Sequence, residues 1–593
     1  MEDTMKGLSR THYCGGLRRE NQGEEVVVCG FVQRQRELSA NLLFVVLRDR
    51  TGVVQLIFDK DTAPEIFEKA KTIRGEFVLA AKGKVRVRES INKDLPTGEI
   101  EIEVNDLRIL SRAETPPFEI RDDVPVSDDI RLKYRYLDLR RPFMQENLIN
   151  RHRIVKLTRD FFDRNGFIEI ETPTLVSSTP EGARDFLVPS RLNEGAFYAL
   201  PQSPQLFKQL LMIGGYDRYM QVTKCYRDED LRADRQLEFT QIDLEMSFVN
   251  EEDVMATTEA YLRFVFAEFL ELDLPEFRRI PYDEAMARYG SDKPDTRFGL
   301  ELKEITPIGA GCDFGVFKGA AESGGKVAGI NAKGLAAKLS RKEIDKLTEL
   351  VKGWGAKGLA YLRMTEESET SSYEKFLTPE EAAEIRITLD AQVGDVLFIV
   401  ADTNGRLCQE TLGRLRNELA KRFSLYDPET FDVLWVTEFP MFEYSEEEER
   451  FVAMHHPFTA PREEDLGILL TDPANVKTNA YDIVINGYEV GGGSIRIHDP
   501  AVQKQVFQAI GLTEEEAAER FGFFLEAFKY GAPPHGGLAF GLDRLMMVLL
   551  GTDNIKEVIA FPKLQNGSDP LTGAPAGVDP KQLDELHLSI KKD

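Results

Sequence analysis

The sequence has few of the features that are typical of secreted, zinc-bound or membrane proteins. Its five cysteines are scattered, and no two of them form a CxxC pair. An odd number at irregular spacing argues against a disulfide framework, and the missing pairs argue against a structural zinc site. No apolar run approaches the roughly 18 residues that a membrane span requires. Residues 1–10 contain no apolar core of a secretion signal, so we expect a reduced, cytoplasmic protein without a membrane partner.

The chain also lacks an excess of positive charge. Its 593 residues contain 75 Lys and Arg against 101 Asp and Glu, a net charge of −26. This balance excludes a protein that coats DNA non-specifically, and we expect no DNA partner. The excess is uneven, because residues 31–90 hold twelve basic and eight acidic side chains. An acidic chain with one mildly basic module can still bind nucleic acid locally.

What the sequence does have is enough apolar surface for several domains. Hydrophobic residues make up 42% of the chain, with 37 Phe and 17 Tyr, which is typical of a folded globular protein. At roughly 100–200 residues per domain, this length predicts about three or four domains.

Short strand patterns follow one another over residues 26–110. Residues 81–88 alternate between basic side chains and small or apolar ones, which is typical of a half-buried strand with a cationic outer face. One helix is expected near residues 61–75. Several strands with a single helix predict a small barrel of the OB type.

Later changes of pattern predict the remaining domains. Residues 111–140 contain Thr115-Pro116-Pro117 and indicate a hinge, and residues 148–164 have a helical period that ends at Asn165-Gly166. The fold class expected is multidomain α/β (α+β), with an antiparallel catalytic sheet flanked by helices and an inserted α/β domain. The expected boundaries are 1–110 for the OB-fold anticodon-binding domain, 111–140 for the hinge, 141–285 and 426–562 for the two parts of the catalytic domain, 286–425 for the insertion and 563–593 for a C-terminal extension.

The segment 219–248 contains two strand patterns joined by a charged loop. In the second strand, alternate residues predict one apolar and one polar face. The apolar face consists of Ile242, Leu244, Met246 and Phe248, and the other of Phe239, Gln241, Asp243 and Glu245. A solvated face would rarely keep a phenylalanine in that row, so the polar face predicts a binding site.

Three other segments combine turn residues with charged side chains. Gly541 ends a strand pattern, and the helix after it carries Arg544 in its first turn, where backbone N–H groups attract phosphate. Asp482 and Glu489 lie on strand patterns joined near Asn486-Gly487, and two carboxylates beside phosphate are typical of a Mg²⁺ site. Arg496 follows on the second of these strands.

A short helix is predicted after Ser203-Pro204, with Ser203 as the N-cap and Pro204 as its first residue. Gln205 and Lys208 would then lie on one face. Adjacent His455 and His456 point in different directions, which argues against a two-histidine metal site and favours a loop that contacts an anionic ligand.

Together these segments resemble the three motifs of class II aminoacyl-tRNA synthetases. GFIEIETP at residues 166–173 resembles the first, Arg227-Asp228-Glu229 with Phe239 the second, and the stretch from Gly537 to Arg544 the third. With an OB-like module in front, the chain resembles the subclass of the aspartate, asparagine and lysine enzymes. Strings such as CYRDEDLRADRQLEFTQID and GYEVGGGSIRIH are similar to the bacterial type of aspartyl-tRNA synthetase, as is the large insertion.

The resemblance implies a two-step reaction. Aspartate and ATP give aspartyl-adenylate and pyrophosphate, and the aspartyl group is then transferred to the 3′ end of tRNA(Asp). Mg²⁺ is implied as a cofactor, and a homodimer by the first motif. Arg227, Glu229 and Arg544 are implied as the catalytic side chains. The implied ATP contacts are Arg227, Asp228, Glu229, Gln236, Phe239, Glu489, Gly541, Leu542, Asp543 and Arg544, and the implied metal ligands are Asp482 and Glu489.

For the amino acid, the resemblance implies that Arg496 and Lys208 read the side-chain carboxylate while Arg227 reaches the other one. Phe239 would stack under adenine, with Arg544 over its other face. The residues implied around the ammonium and above the substrate are Glu181, Ser203, Gln205, Asp243, His455 and His456, and residues 177–190 are implied as a lid.

In the N-terminal module, Arg36, Phe44 and Gln55 match anticodon-contacting positions. An alternative is a nondiscriminating enzyme that also charges tRNA(Asn), although Leu38 matches the discriminating pattern. An asparagine or lysine enzyme, a non-catalytic relative and a tRNA-independent amide ligase are further alternatives. Arg496 and Lys208 argue against lysine, the intact motifs against a non-catalytic relative, and the N-terminal module against the amide ligase.

Overall fold

The computed structural model describes residues 2–179, 183–446 and 448–591. The chain forms two units. The first consists of Met1–Ile149, Ala560–Leu564 and Ser568–Pro575, and the second of Asn150–Ile559, Gln565–Gly567 and Ala576–Asp593. Among the described residues, no helix is both long and apolar enough to cross a membrane.

A closed five-stranded barrel in the order β1-β2-β3-β5-β4 is the centre of the first unit. Its strands are β1 (Glu25–Ser39), β2 (Leu42–Asp49), β3 (Gly52–Asp59), β4 (Val78–Val87) and β5 (Ile100–Ser111). Alternate residues such as Leu43, Val45 and Leu47 are buried in the barrel core, because the side-chain period of a strand is two. The barrel and the short helix at Pro64–Ala70 confirm the OB-type prediction.

An eight-stranded sheet in the order β11-β17-β20-β21-β22-β10-β9-β6 is the centre of the second unit. Its strands are β6 (Ile168–Glu169), β9 (Arg218–Tyr226), β10 (Glu238–Ser247), β11 (Arg278–Pro281), β17 (Val433–Thr437), β20 (Ala480–Ile485), β21 (Tyr488–Ile495) and β22 (His535–Gly541). The six inner strands pair antiparallel, as predicted, while the edge strands β6 and β11 pair parallel to their neighbours.

A second sheet in this unit has five strands in the order β12-β13-β16-β14-β15. They are β12 (Lys303–Glu304), β13 (Lys326–Ala332), β14 (Ala360–Met364), β15 (Glu369–Ser371) and β16 (Val396–Asp402). Two hairpins complete the strands, β7 (Leu187–Pro189) with β8 (Phe197–Ala199) and β18 (Phe442–Ser445) with β19 (Arg450–Ala453). The five-stranded sheet falls inside the predicted insertion, whose boundaries stay a prediction.

The helices are numbered along the chain. They are α1 (Pro64–Ala70), α2 (Asp128–Lys133), α3 (Arg135–Asp138), α4 (Pro142–Arg164), α5 (Gln205–Ile213), α6 (Glu251–Leu270), α7 (Tyr282–Tyr289), α8 (Thr306–Gly311), α9 (Gly315–Glu322), α10 (Arg341–Gly353), α11 (Pro379–Thr388), α12 (Gly405–Phe423), α13 (Pro500–Ala509), α14 (Glu514–Phe528), α15 (Leu542–Leu550) and α16 (Pro580–Glu585). Short 3₁₀ segments lie at Cys14–Gly16, Arg19–Asn21, Glu374–Phe376, Glu463–Ile468, Pro473–Asn475 and Ile555–Glu557.

The two faces of the eight-stranded sheet have different roles. Ile242, Leu244 and Met246 of β10 pack into a hydrophobic core with apolar residues of α6 and α15. This confirms the predicted apolar face, with one correction. Phe248 lies beyond the strand with a φ of 58° and is 74% exposed, because the backbone turns where β10 ends.

The start of α5 also differs from the prediction by one residue. Pro204 is the N-cap and Gln205 the first helical residue, whereas Ser203 was expected at the N-cap. The Ser203 hydroxyl still accepts a hydrogen bond from the Gln205 N–H at 3.4 Å. The shift leaves Gln205 and Lys208 three residues apart on the helix, as the sequence predicts.

We predict that Gly537→Ala destabilises the second unit. Gly537 of β22 lies opposite Glu245 of β10, and a Cβ there would overlap Glu245 Oε2 and the Leu244 carbonyl oxygen. Overpacking of this kind costs about 1–3 kcal/mol, so thermal unfolding monitored by circular dichroism should shift to lower temperature. Gly522→Ala is the control, because that helical glycine has open space around its Cβ position; it should be neutral or slightly stabilising. Equal melting of the two variants would contradict the prediction.

Candidate active site

A cavity of about 440 Å³ lies on the polar face of the eight-stranded sheet. Its walls come from α5, the β9–β10 loop, β10, the segment after β19, the β20–β21 hairpin and the start of α15. The structure brings together in this cavity the following predicted site residues: Ser203, Gln205, Lys208, Arg227, Glu229, Gln236, Phe239, Asp243, His455, His456, Asp482, Glu489, Arg496, Gly541, Asp543 and Arg544.

A buried group of four charges lies at one end of the cavity. Glu245 accepts hydrogen bonds from Arg496 Nε at 2.9 Å and Nη2 at 3.1 Å, and its Oε2 lies 3.2 Å from Lys208 Nζ. Lys208 also forms an ion pair with Asp243. All four side chains are at most 2% exposed, and two cations are balanced by two carboxylates. We call these residues the ionic cluster.

The pKa shifts in the ionic cluster follow from burial and from the neighbouring charges. Burial alone would raise the pKa of Glu245, but Arg496 and Lys208 together hold it at about 2. Burial raises the pKa of Asp243, and the contact with Lys208 offsets only part of that effect. Glu245 is therefore the firmly ionised carboxylate, and Asp243 is the one that gains most from a further positive charge.

Five buried polar atoms of the cavity lining have no hydrogen-bond partner among the described residues, and two of them belong to side chains implied around the substrate ammonium. These two are Asp243 Oδ2, an acceptor, and Gln205 Nε2, a donor. Buried polar atoms are almost always paired, and an orphaned acceptor costs about 1–3 kcal/mol. The pair is therefore suited to a small ligand that brings both a donor, such as an ammonium, and an acceptor.

The adjacent histidines His455 and His456 contact different partners. His456 Nε2 lies 2.9 Å from Arg496 Nη1, which also donates to Ser494 Oγ at 2.6 Å. Burial and the Arg496 charge hold the pKa of His456 well below its usual value, so the neutral ring can accept from the guanidinium. His455 faces another way, with Nε2 3.8 Å from Asp482 Oδ1 and its ring edge-on to Phe439. The predicted divergence of the two side chains is confirmed.

The second half of the cavity is formed by the charged loop between β9 and β10. The Arg227 guanidinium lies over the Phe239 ring, 5.1 Å from its centroid, and the Glu229 carboxylate pairs with Arg235 at 3.1 Å. In this conformation Arg227 covers one face of the ring that the resemblance implies as the platform for adenine. A planar base can therefore stack on Phe239 only if Arg227 shifts or the base takes the other face.

Arg544 reaches across the cavity from the first turn of α15. Its Nη1 donates to the Glu489 carbonyl oxygen at 2.6 Å, and its Nη2 lies 3.1 Å from Asp234 Oδ2. Its buried Nε has no partner among the described residues. These contacts leave the guanidinium beside Glu489, which is where the resemblance implies a phosphate.

Asp482 and Glu489 line the cavity on neighbouring strands, β20 and β21. Burial and the Glu489 charge raise the pKa of Asp482 to about 6, although its contact with His455 opposes the rise. Two close carboxylates with this mutual repulsion are suited to a hard cation, and Mg²⁺ prefers few carboxylates plus phosphate oxygens. Within the described ranges, no group of three or more His, Cys, Asp or Glu side chains is placed to hold a metal ion.

Three predicted ATP residues have side chains that are engaged elsewhere or lie outside the cavity lining. The Asp543 carboxylate is occupied, since it accepts from Arg151 at 2.6 Å and from the Thr240 N–H at 2.8 Å. The Leu542 side chain lies in the hydrophobic core. Asp228 makes a backbone bridge to Arg184 outside the cavity lining. Glu181 lies outside the described residues.

Sequence reasoning missed three residues of this site. Glu245 was placed on the polar face of β10 but given no role, although its position in the same row as Asp243 could have indicated one. Asp234, which pairs with Arg544, lies in a loop without periodicity and gives no sequence signal. Lys293 lies 3.6 Å from Glu489 Oε2 and comes from a loop almost 200 residues earlier in the chain.

The three predicted anticodon contacts share one face of the barrel. Arg36 on β1 pairs with Phe44 on β2, and Gln55 on β3 pairs with Val46, two residues further along β2. The opposite face of β2 is in the core, so this face points outward. Gln55 Nε2 donates to Glu101 at 2.7 Å, which fixes the orientation of its amide.

Comparison with known proteins agrees with this fold. Residues 127–565 match the tRNA synthetases class II (D, K and N), and residues 26–110 match the OB-fold nucleic acid binding domain. The chain therefore belongs to the class II aminoacyl-tRNA synthetases of the aspartate, lysine and asparagine group. ATP is the nucleotide that this class uses.

Two relatives with known names match the chain over its full length. The chain is 55% identical to an aspartate–tRNA(Asp/Asn) ligase of Thermoanaerobacter pseudethanolicus and 55% identical to an aspartate–tRNA ligase of Ruminiclostridium cellulolyticum, with 100% of both chains covered in each case. Among solved structures, the asparaginyl-tRNA synthetase of Pyrococcus horikoshii has 20% identity, a TM-score of 0.59 and coverage of 93% of this chain and 98% of that one. This likeness shows the fold.

We predict that Arg496→Leu abolishes aspartate activation. The change removes the guanidinium and leaves Glu245 buried with one cation fewer, a penalty of about 3–5 kcal/mol. Aspartate-dependent ATP–pyrophosphate exchange should fall at least a hundredfold in kcat/KM for aspartate, while circular dichroism shows a folded protein. Arg406→Leu, which removes an exposed pair with Glu410, serves as the control. Near-normal exchange in Arg496→Leu would refute the assignment.

We predict that Phe44→Ala weakens tRNA charging but leaves adenylate formation unchanged. Loss of one base–aromatic stack costs about 1–3 kcal/mol, so the KM for tRNA should rise about fivefold to a hundredfold. Aspartate-dependent pyrophosphate exchange without tRNA should stay constant. Phe248→Ala is the control. It removes an exposed ring that lies outside the barrel segment of the sequence, and it should affect neither step. An equal loss in both steps for Phe44→Ala would show that this ring only stabilises the barrel.

Proposed function

We propose that this synthetase activates L-aspartate with ATP, releases pyrophosphate, and transfers the aspartyl group to the 3′ end of tRNA(Asp). The observation that carries the proposal is the ionic cluster, in which Arg496 and Lys208 lie buried beside the unpartnered Asp243 Oδ2. Two cations suit a side-chain carboxylate, and the free acceptor suits an ammonium. Aspartate carries both groups, and the relatives named above agree.

The same cluster argues against the other amino acids of the group. A lysine side chain would bring a third cation next to Arg496 and Lys208. An asparagine amide carries no charge that could neutralise these two cations. A site built for a hydrogen-bonded polar partner can reject an analogue by about 10⁴-fold. The intact set of Arg227, Phe239 and Arg544 in one cavity supports catalysis and argues against a binding protein without activity.

Catalysis would consist of positioning and charge neutralisation. The aspartate α-carboxylate attacks the α-phosphorus of ATP, the bond to the β-phosphate oxygen breaks, and pyrophosphate leaves with the electron pair. Arg227 lines the cavity and would bridge the carboxylate and the α-phosphate. Arg544 would neutralise the far phosphates, and Glu229 would hold the adenosine. No covalent bond to the protein is needed.

Asp482 and Glu489 would hold Mg²⁺, since both carboxylates line the cavity and burial and the Glu489 charge raise the pKa of Asp482. When bound, the ion would withdraw negative charge from the phosphates. His455, next to Asp482, would contribute its ring edge to the amino-acid side of the same wall.

For the second step, the outward barrel face with Arg36, Phe44 and Gln55 would bind anticodon bases. An aromatic platform flanked by polar edge-reading groups is the usual arrangement for unstacked RNA bases. We also propose a homodimer, because Ile168 of β6 and Leu175 and Leu187 after it are exposed, and such apolar residues mark interaction surfaces when they lie together. The cytoplasmic location expected from the sequence remains a prediction.

The alternative is a nondiscriminating enzyme that charges tRNA(Asn) as well. It is favoured by the name of the Thermoanaerobacter relative, which includes both tRNAs, and opposed by Leu38, which is exposed on β1. The ionic cluster cannot distinguish the two, because both use aspartate and ATP. The choice depends on the barrel face.

We predict that labelled aspartate with Mg-ATP charges purified tRNA(Asp). Charging of separately purified tRNA(Asp) and tRNA(Asn) is the decisive measurement, with tRNA(Lys) as the negative control. Charging of tRNA(Asp) alone would establish a discriminating enzyme. Charging of both would establish the nondiscriminating one, with amidation of the mischarged tRNA required afterwards. If neither tRNA is charged and pyrophosphate exchange is also absent, the proposed function is wrong.

A further inference from the structure

Lys293 lies next to Glu489, a residue of the cavity wall near which the phosphates of ATP would bind. It comes from the loop between α7 and β12, and its Nζ is 3.6 Å from Glu489 Oε2 and 3.6 Å from Asp292 Oδ1. Glu489 lines the cavity, and its carbonyl oxygen accepts from Arg544. The ammonium therefore lies on the same side of the site as Arg544.

The loop that carries Lys293 is held firmly against the β20–β21 hairpin. Asp295, two residues on, packs so closely on Gly487 that a Cβ there would come within 2.9 Å of the Asp295 Cβ. The same aspartate pairs with Arg297, and its carbonyl oxygen accepts from the buried Arg416 at 2.9 Å. The backbone at residue 293 is thus fixed relative to Glu489.

The side chain itself has room to move. Lys293 is 41% exposed, and its contacts with Glu489 and Asp292 are loose, at 3.6 Å each. Exposed pairs of this kind contribute about 0–1 kcal/mol, so the pairing alone is a weak reason for a cation at this position. If a divalent cation binds the Glu489 carboxylate, that cation repels the Lys293 ammonium. The ammonium then needs another anion within reach of its four-carbon stem.

We propose that Lys293 binds the β- and γ-phosphates of ATP and stabilises the pyrophosphate that leaves during adenylate formation. This inference rests on the proposed function and adds a cationic contact to the phosphate end of that site. In the step concerned, the bond between the α-phosphorus and the bridging oxygen breaks, and the oxygen keeps the electron pair. The negative charge that develops on pyrophosphate is then shared by Arg544 and Lys293.

A different role for Lys293 would change the binding of pyrophosphate in the opposite direction. If the ammonium served only to neutralise Glu489, its removal would make the end of the cavity more acidic. Binding of Mg²⁺ with pyrophosphate would then stay the same or tighten. A direct contact with phosphate predicts weaker binding instead, because a charge-assisted hydrogen bond is lost.

The test uses the full-length enzyme and its variants Lys293→Met and Lys293→Arg. Isothermal titration with inorganic pyrophosphate in the presence of Mg²⁺ should give a Kd that is about tenfold to a hundredfold higher for Lys293→Met than for the wild type. Lys293→Arg should recover most of the affinity. In aspartate-dependent exchange, the KM for pyrophosphate and ATP should rise together, while the KM for aspartate changes less than twofold.

Lys421→Met is the matched control, because Lys421 pairs with Asp553 on the exposed surface of the same unit. It should change none of these constants. Unchanged or tighter pyrophosphate binding by Lys293→Met would overturn the inference while wild-type exchange still supports the proposed function. Absence of aspartate-dependent exchange in the wild type would instead overturn the proposed function, whatever the titration shows.

Discussion

The site depends on a single carboxylate, Glu245, which holds two buried cations in place. Placing Arg496 and Lys208 side by side would be unfavourable in a buried pocket, because each would raise the electrostatic energy of the other. Glu245 lies between them, accepts two hydrogen bonds from the guanidinium and contacts the ammonium. The pocket can therefore present two positive groups to a ligand at fixed positions before any ligand arrives.

That arrangement requires a residue without a side chain on the neighbouring strand. The Glu245 side chain passes over Gly537 of β22, and no Cβ fits there. On the other side, Gly492 of β21 leaves space for the Asp482 carboxylate in the same way. The glycines of these strands are thus the reason that carboxylates can lie flat on the sheet, which ties the backbone geometry of the fold to the charges in the cavity.

Much of this was predictable because it depends on local patterns. The alternation of β10 separated Ile242 and Leu244 from Asp243 and Glu245, and the strand patterns of the N-terminal region predicted the barrel. The hairpin that brings Asp482 near Glu489 was predicted from the turn residues in its sequence. The predicted position of Arg496 beside the triple glycine agrees with the cavity lining.

What the sequence did not predict depends on contacts between distant segments. Asp543 belongs to the third motif, yet its carboxylate is occupied by Arg151, nearly 400 residues away, and by the β10 backbone. Arg227, in the loop before β10, lies over the Phe239 ring. Neither contact leaves a trace in spacing or periodicity. Phe248 was misplaced for a local reason, since the strand ends one residue before it and the backbone turns outward.

The balance of the ionic cluster also explains why the side-chain charge of the substrate matters so much. The cluster is neutral without ligand, and Lys208 already contacts both carboxylates. Aspartate would bring one ammonium and one side-chain carboxylate to this region, so the buried charge would stay balanced while partners are exchanged. Asparagine would bring the ammonium alone and leave one buried cation without a counter-ion, which is strongly unfavourable. Selectivity for the acid over the amide therefore follows from the total charge of the pocket as much as from any single hydrogen bond.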